Sequence, residues 1–287
     1  MIKHHEIDNI VKTRFEKINI GLESIRLHFH EDDIRVFRVK VKKLAACIQL
    51  INAARGQQHK AIKIPPRLLK YFEVAGIVRN LQLQKLYVET TLDARQAMRA
   101  GAYLNLVSNK ILHHMVVASQ IMKGVQPFKR AEINLLKLLP DHLSSKSAAQ
   151  FVRSEIKKLE KLLMPVFPSD DSLHEIRKLL KGLLYVWPHI GDKVAQTSPY
   201  GLLSGKENIA AFTEVLGKFH DMDTAIGLLH DCCLNRDTEE SEKEILRTLE
   251  RLWIKEKETI RLQVYQQLQQ IISSRQPVQP LIQYAMI

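Results

Sequence analysis

Residues 173–187 read LHEIRKLLKGLLYVW, and residues 34–48 read IRVFRVKVKKLAACI. Aligned at an offset of 139 residues, the two stretches share apolar positions with 3-4-3-4 spacing, which predicts a helix with one buried face in each. A row of three basic side chains coincides as well. The aligned pairs are Arg35 with His174, Arg38 with Arg177, and Lys42 with Lys181. Because the apolar stripe and the basic row repeat together, the sequence indicates an internal duplication.

A shorter correspondence follows each stretch. Residues 76–82 (GIVRNLQ) resemble residues 217–223 (GKFHDMD) at an offset of 141 residues, which differs by two from the first offset. Short loops between helices favour antiparallel neighbours. We therefore predict an all-α protein built from two four-helix halves, residues 1–128 and 129–273, followed by a C-terminal tail, residues 274–287.

Helical periodicity extends through nearly the whole chain. With 11 Gly, 10 Pro and 45% hydrophobic residues among 287, the composition excludes a disordered chain and a turn-rich β sandwich. Helices are predicted at residues 4–28, 32–54, 66–91, 95–123, 130–139, 144–163, 171–187, 206–234 and 237–272. Breaks are expected at prolines, including the stretch from Pro188 to Gly205. Asp170 or Asp171 is the expected N-cap of the helix that holds His174.

The charge of the chain predicts an anionic partner. The formal net charge is +12 and the isoelectric point is about 9.5, so nucleic acid, a membrane surface and a phosphate polymer all qualify. Three cysteines without C-x-x-C spacing, no apolar signal core and no membrane-length apolar stretch predict a soluble protein in a reducing compartment. We expect a cytoplasmic protein with no membrane partner.

The basic rows border the apolar stripes. On a helical wheel the three cations of each row lie within about 60° of one another, so we expect them to line a groove between helices. Such a row requires compensation, either by carboxylates such as Glu31 and Asp32 or by a bound anion. Positions i, i+3 and i+7 climb about 10 Å along a helix, which suits an extended partner. Two matching rows and the cationic surplus favour the anion.

Five further side chains are candidates for the same site. Tyr185 lies on the second basic row, and Lys40 and Lys178 lie further round the same two helices. Arg79 lies in the shorter correspondence, and Lys110 lies on another helix.

Together these segments resemble the motifs of CHAD domains, the conserved-histidine α-helical domains. Residues 174–185 are similar to the histidine motif, residues 38–44 to its first copy, and residues 79–82 and 220–223 to the segments that follow it. The resemblance extends over about residues 4–272. It implies two four-helix bundles, related by a pseudo-twofold axis around a basic groove or pore, and non-catalytic binding of inorganic polyphosphate. The implied lining residues are Arg35, Arg38, Lys42, His174, Arg177 and Lys181.

The chain departs from the family pattern at three places. Arg35 occupies the first histidine position and keeps a positive charge there. Asn80 and Gln82 replace acidic residues, so salt bridges that would orient cations in the first half are not expected. Gly182 stands opposite Lys43.

His174 has two interpretations. In one, it bonds a backbone carbonyl or an acid such as Asp221 or Asp223. In the other, the cations Arg177 and Lys181 lower its proton affinity while the groove is empty, and phosphate restores it. The second interpretation predicts pH-dependent binding.

Catalytic and metal sites are not predicted. His174 with the doublet His220-Asp221 is similar to the ligands of HD-type metal-dependent phosphohydrolases, but no aspartate follows Asp237 to act as the distant ligand. Phosphate-binding loops, nucleophile elbows and the β tunnel of triphosphate tunnel enzymes are missing. We expect no enzyme, no metal and no cofactor.

The expected partner is inorganic polyphosphate, free or in polyphosphate-containing granules. Binding of nucleic acid or another phosphorylated ligand is the alternative. Aromatic residues make up only 6% of the chain, and no RNA-binding motif is present to provide a stacking platform.

Overall fold

A computed structural model describes residues 1–56, 58–122, 127–233 and 239–275 of the chain. The described residues form ten α-helices, one 3₁₀-helix (Gly201–Leu203) and two short strands. The helices are α1 (His4–His28), α2 (Glu31–Arg55), α3 (Pro66–Thr91), α4 (Ala94–Arg99), α5 (Gly101–Ile121), α6 (Lys129–Leu136), α7 (Ser145–Leu163), α8 (Asp170–Thr197), α9 (Lys206–Cys233) and α10 (Glu240–Ser273). The expectation of an all-α protein is confirmed.

Two predicted helices differ from those observed. The helix predicted over 95–123 is divided at Ala100 into α4 and α5. The helix predicted to end before Pro188 continues through it to Thr197. Pro188 lies on an exposed face, and the buried stripe continues beyond it at Ile190 and Val194, so packing offsets the one backbone bond that proline cannot make.

The start of α8 also differs from the prediction. The N-cap is Ser169, whose hydroxyl accepts a bond from the Ser172 amide at 3.2 Å. Asp170 is not the cap. Its carboxylate instead pairs with Lys257 at 2.7 Å and Arg261 at 3.1 Å, both on α10.

The strands make a single small antiparallel pair. Strand β1 (Ile2–Lys3) pairs with β2 (His142–Leu143), with Ile2 opposite Leu143. The pair joins the start of α1 to the segment that precedes α7, so it ties the start of the predicted first half to the second half.

Consecutive long helices pack against each other within each half, and the two halves also pack against one another. Neighbours in contact are α1, α2, α3 and α5 in the first half and α7, α8, α9 and α10 in the second. The halves meet mainly where α2 packs against α8 and α7, and where α3 packs against α9. This crossing of α2 and α8 brings the two basic rows to one place.

Both hydrophobic cores include residues from each half. The larger core joins α1 and α2 to α7 and α8, with Phe37 and Leu180 among its buried members. The smaller core joins the ends of α3 and α5 to α9 and α10 around Trp253. The division of the chain near residue 128 and the duplication therefore stay predictions.

The chain is described as far as Arg275, which bridges to Tyr200 beside the 3₁₀-helix. Most of the predicted tail, residues 276–287, lies outside the described residues. None of the described helices has the length and apolar character needed to cross a membrane.

Candidate anion-binding site

The two basic rows meet at Lys42. The pKa of Lys42 is lowered from 10.5 to about 8, mainly by burial. The positive charges of Arg38, on its own helix, and of Arg177 and Lys181, on α8, contribute to this shift. Asp221 opposes this shift. Within the described ranges no carboxylate lies within 4.0 Å of the Lys42 ammonium, so its charge has no ion-pair partner.

Arg38 is fixed against α3. Its Nη1 donates to the carbonyl oxygen of Phe72 at 2.8 Å, and its guanidinium lies 4.4 Å from the centroid of the Phe72 ring. The guanidinium passes directly over Gly76, where a Cβ atom would lie 1.9 Å from Nη1. Burial, and then the charge of Arg79, lowers the pKa of Arg38 to about 10. Arg38 therefore supplies a desolvated positive charge at one side of the site.

Arg177 occupies the corresponding place in the second half. A Cβ atom on Gly217 would lie 3.6 Å from the Arg177 Nε. That Nε is buried and has no hydrogen-bond partner among the described residues. In each half an arginine thus lies beside a glycine of the next long helix, an agreement that supports the predicted duplication.

Lys181 and Glu214 form an ion pair at the edge of the cluster. Their charged atoms lie 2.7 Å apart, and the Lys181 side chain is 24% exposed while that of Glu214 is 73% exposed. The hydrogen bond from Lys181 lowers the pKa of Glu214. Because Glu214 stands in solvent, an incoming anion can replace it at little cost.

Asp221 is the carboxylate nearest the centre of the cluster. Burial raises its pKa, and the charges of Arg177, Arg79 and Lys42 act in the opposite direction. No described cation lies within 4.0 Å of it. Asp221 therefore lies among several cations without an ion pair among the described residues. The acids that do pair with the basic rows, Asp32 with Arg35 and Glu214 with Lys181, are exposed.

Two histidines stack next to these cations. The rings of His174 and His220 have centroids 4.3 Å apart, and the buried Nδ1 of His174 has no hydrogen-bond partner. Burial, followed by the charge of Lys178, lowers the pKa of His174. Burial, His174 and Arg177 lower the pKa of His220 to about 4. Among the described residues, His174 makes no hydrogen bond to Asp221 or to Asp223, the two acids predicted for it, and Asp223 pairs with Lys257 at 2.5 Å.

The structure therefore brings together most of the predicted side chains. Tyr185 belongs to this group, because burial raises its pKa and the charges of Arg177 and Glu214 also act on it. Arg79 lies beside the group and forms an ion pair with Glu31. The clustered members are Arg38, Lys42, His174, Arg177, Lys181, Tyr185 and Arg79.

Four predicted site residues lie elsewhere. The side chain of Arg35 is exposed and pairs with Asp32 at 3.1 Å, and exposed Lys178 pairs with Glu175 at 2.8 Å. The other two are Lys40, which packs against Gly21 of α1, and Lys110, which is exposed on α5 beside His114. Arg35, Lys40 and Lys110 lie away from the contact of α2 with α8 because of their angular position on the helix or their place on an outer helix. Lys178 acts on the site only through its charge, which lowers the pKa of His174.

Sequence reasoning missed two members of the site. His220 was considered only as a metal ligand, although its alignment with Arg79 placed it beside a basic row. Glu214 carried no signal in the sequence, since the packing of α8 on α9 decides which acid reaches Lys181.

The free space beside Asp221 is small. A pocket of about 10 Å³, lined by Asn80, Gln84, Tyr87 and Asp221 among others, has room for about one water molecule. A larger anion would therefore lie along the cation-lined surface. Across the described ranges, no three histidine, cysteine or acidic side chains converge as metal ligands.

The fold and the site define an all-α protein with a basic cluster at the contact of two long helices. A family model described as the CHAD domain matches residues 9–230. Because the match covers more than half of the chain, the chain belongs to the CHAD-domain family.

Two solved structures have a similar fold. PptA from Streptomyces chartreusis is 13% identical, with a TM-score of 0.66 over 94% of this chain and 100% of that one. The CHAD domain from the plant Ricinus communis is 15% identical, with a TM-score of 0.68 over 94% of this chain and 92% of that one. A comparison with curated protein sequences found no match. At these identities the similarity establishes the fold alone.

Proposed function

We propose that this protein binds inorganic polyphosphate, without turning it over, at the cluster where α2 crosses α8. The observation that carries the proposal is the meeting of Lys42 with Arg177 and Lys181 around a single central carboxylate. Desolvated cations without counter-charges are costly in a folded protein. A bound polyanion would relieve that cost and would supply acceptors for the unpartnered nitrogens of His174 and Arg177.

A linear phosphate polymer fits this site better than a single phosphate does. The cations come from two helices and are spaced along each of them by one or two turns, about 5 to 10 Å. Arg38 and Arg177 offer planar forks to phosphate oxygens, and Lys42 and Lys181 offer point charges between them.

Nucleic acid is the less favoured polyanion. Tyr185 and Tyr87 next to the cluster are both half-buried, and the half-buried ring of Phe72 is covered by the Arg38 guanidinium. They therefore present no open face on which a base would stack. The proposal includes action as a binding protein in the cytoplasm, on free or granular polyphosphate, with no metal or cofactor.

The proposal is tested by isothermal titration calorimetry of the full chain with long-chain polyphosphate. The variant Lys42→Gln/Arg177→Gln/Lys181→Gln removes three converging charges but leaves Arg38 in its packed position. We expect a loss of affinity of at least about a hundredfold and a reduction by about 3 in the slope of log affinity against log salt.

A matched control removes the same formal charge elsewhere. The variant Lys12→Gln/Lys129→Gln/Lys158→Gln changes three exposed lysines that already pair with acids on their own helices. We expect the control to bind as the unmodified protein does, and nucleic acid to compete poorly with polyphosphate. Equal losses in both variants would contradict the proposal, because affinity would then follow net charge rather than the cluster.

A further inference from the structure

Helix α2 carries cations on a second side. Lys40 and Lys43 lie about 100° or more round the helix from Lys42 and face α1. Helix α1 brings Arg14 and Lys17 to the same place, since both act on the pKa of Lys43. We refer to Arg14, Lys17, Lys40 and Lys43 as the α1–α2 seam.

Packing holds the seam together in spite of its like charges. The Lys40 ammonium rests on α1 at Gly21, 3.4 Å from where a Cβ atom would lie, so a larger residue there would crowd it. Burial, followed by the charges of Arg14 and Lys17, lowers the pKa of Lys43. Arg14 also lowers the pKa of half-buried His189 on α8. The seam therefore extends from α1 across α2 towards α8.

The seam is not compensated by acids. In the ranges that the structure describes, none of its four cations lies within 4.0 Å of a carboxylate. Other cations of the same helices are paired: Lys12 contacts Asp8 at 2.6 Å, and Arg35 contacts Asp32 at 3.1 Å. No carboxylate contributes to the pKa shift of Lys43 or of His189. Four cations gathered without an acid within ion-pair distance create a positive potential that favours an anion from solution.

We propose that the α1–α2 seam binds a second segment of the same polyphosphate chain that the α2–α8 cluster holds. This inference rests on the proposed function. Lys42 and Lys43 are consecutive residues on two sides of α2, so the two surfaces are separated by about one helix diameter, 10 to 12 Å. A long chain can pass round the helix and contact both surfaces. A short one contacts only one.

Linking two segments makes the second contact intramolecular. The affinity for a long chain then exceeds that for a short one by more than the number of charges alone would give. Tripolyphosphate is too short to occupy both surfaces, and we expect it to bind the more desolvated α2–α8 cluster.

The experiment measures tripolyphosphate and long-chain polyphosphate binding to the full chain by calorimetry. The variant Lys17→Gln/Lys43→Gln leaves Lys40 and Arg14 in their packed positions, and a second variant adds Arg14→Gln. We expect long-chain affinity to fall about tenfold in the first variant and further in the second, with tripolyphosphate affinity unchanged. Circular dichroism checks that both variants keep the helical content of the unmodified protein.

Each outcome decides the inference. Unchanged long-chain affinity in both variants would overturn it, and so would equal losses for the short and long chains, because the seam would then be part of the primary site. The variant Lys42→Gln/Arg177→Gln/Lys181→Gln, titrated in parallel, separates the two claims. If that variant still binds tripolyphosphate normally, the proposed function fails. If only the seam variants bind normally, the inference alone fails.

Discussion

Lys42 is held in the folded protein at an energetic cost. Its ammonium is largely desolvated, faces three other cations and has no carboxylate within ion-pair distance in the part of the chain that the structure describes. Native proteins keep such groups mainly where function requires them, because stability and activity compete at binding sites. The residue thus provides a direct test of whether the cluster serves a ligand or the fold.

Replacing Lys42 by Met is expected to stabilise the protein and weaken polyphosphate binding. Methionine fills a similar volume without a buried charge, so we expect the free energy of unfolding to rise by about 1 kcal/mol near neutral pH. Chemical denaturation measures this gain. A Lys42→Met protein that is less stable and binds normally would show that Lys42 is structural.

The stability of the unmodified protein should also depend on pH. The pKa of Lys42 is about 8 in the folded protein, below the ordinary 10.5, so the unfolded chain binds more protons between these values. Stability contributed by this group is therefore lowest below pH 8 and rises as the pH increases from about 8 to 10.5. The Lys42→Met protein should lack this component in denaturation curves recorded across the range.

The stacked histidines predict that polyphosphate binds more tightly in acid. Burial and neighbouring cations keep His174 and His220 neutral, with the pKa of His220 near 4. A polyanion favours the imidazolium form and raises both pKa values. Affinity should consequently increase as the pH falls through 6.5 towards 4.

The measurement is a comparison of affinity at about pH 5 and about pH 8. In the variant His174→Gln/His220→Gln we expect the increase at low pH to disappear while binding at high pH persists. An undiminished pH dependence in this variant would assign the effect to other groups.

At the scale of the elements, the two halves differ in how closely an arginine approaches a glycine. Gly76→Ala would place a Cβ atom 1.9 Å from the Arg38 guanidinium, which would have to leave its bond to Phe72. Gly217→Ala would meet Arg177 at an ordinary 3.6 Å. We expect Gly76→Ala to cost about 1 kcal/mol and Gly217→Ala to be neutral or slightly stabilising, because alanine favours helix.

Thermal denaturation of both proteins tests this contrast. Equal changes in thermal stability would mean that Arg38 can move away from Gly76 without an energetic cost. The contacts of Arg38 and Arg177 would then contribute equally little to stability.

The sequence predicted most helices within a few residues, because the spacing of apolar residues determines which face is buried. It could not predict the passage of α8 through Pro188. Proline argues for a break, and only the tertiary packing of Ile190 and Val194 shows that the helix continues. It also did not predict the division at Ala100, because a single glycine such as Gly101 is often tolerated within a helix and no proline marks the end of α4.

The site was predictable in outline only. The alignment of two basic rows indicated the importance of Arg38, Lys42, Arg177 and Lys181 before any geometry was known. The sequence placed Lys40 further round α2 than Lys42, but its contact with Gly21 depends on where α1 packs. Partners from distant helices, such as Glu214, are fixed by tertiary structure alone.

At the scale of the whole molecule, α10 is fastened to α8 and α9 by an ionic clamp. Lys257 lies 2.7 Å from Asp170 and 2.5 Å from Asp223, and Arg261 also pairs with Asp170 at 3.1 Å. Asp170 precedes His174 by one turn, so the clamp also supports the end of α8 that carries the site.

Asp170→Asn should therefore destabilise the protein by about 1 to 3 kcal/mol, because two partly buried cations lose a counter-charge. Urea denaturation compares it with Glu240→Gln, a control that also contacts two cations, Lys243 at 3.6 Å and Arg247 at 3.2 Å, but is 74% exposed. We expect the control to change stability by less than about 0.5 kcal/mol. Equal effects would show that the clamp contributes no more than a surface pair.

The most direct measurement is a crystal structure of the full chain soaked in tripolyphosphate. We predict phosphate density where α2 crosses α8, with oxygens within hydrogen-bond distance of Lys42 and Arg177 and with Glu214 displaced from Lys181. The central claim would be contradicted if phosphate density appeared only on other surfaces. In that outcome the Lys181–Glu214 pair would be intact, and Lys42 would have no phosphate contact although the site is open to solvent.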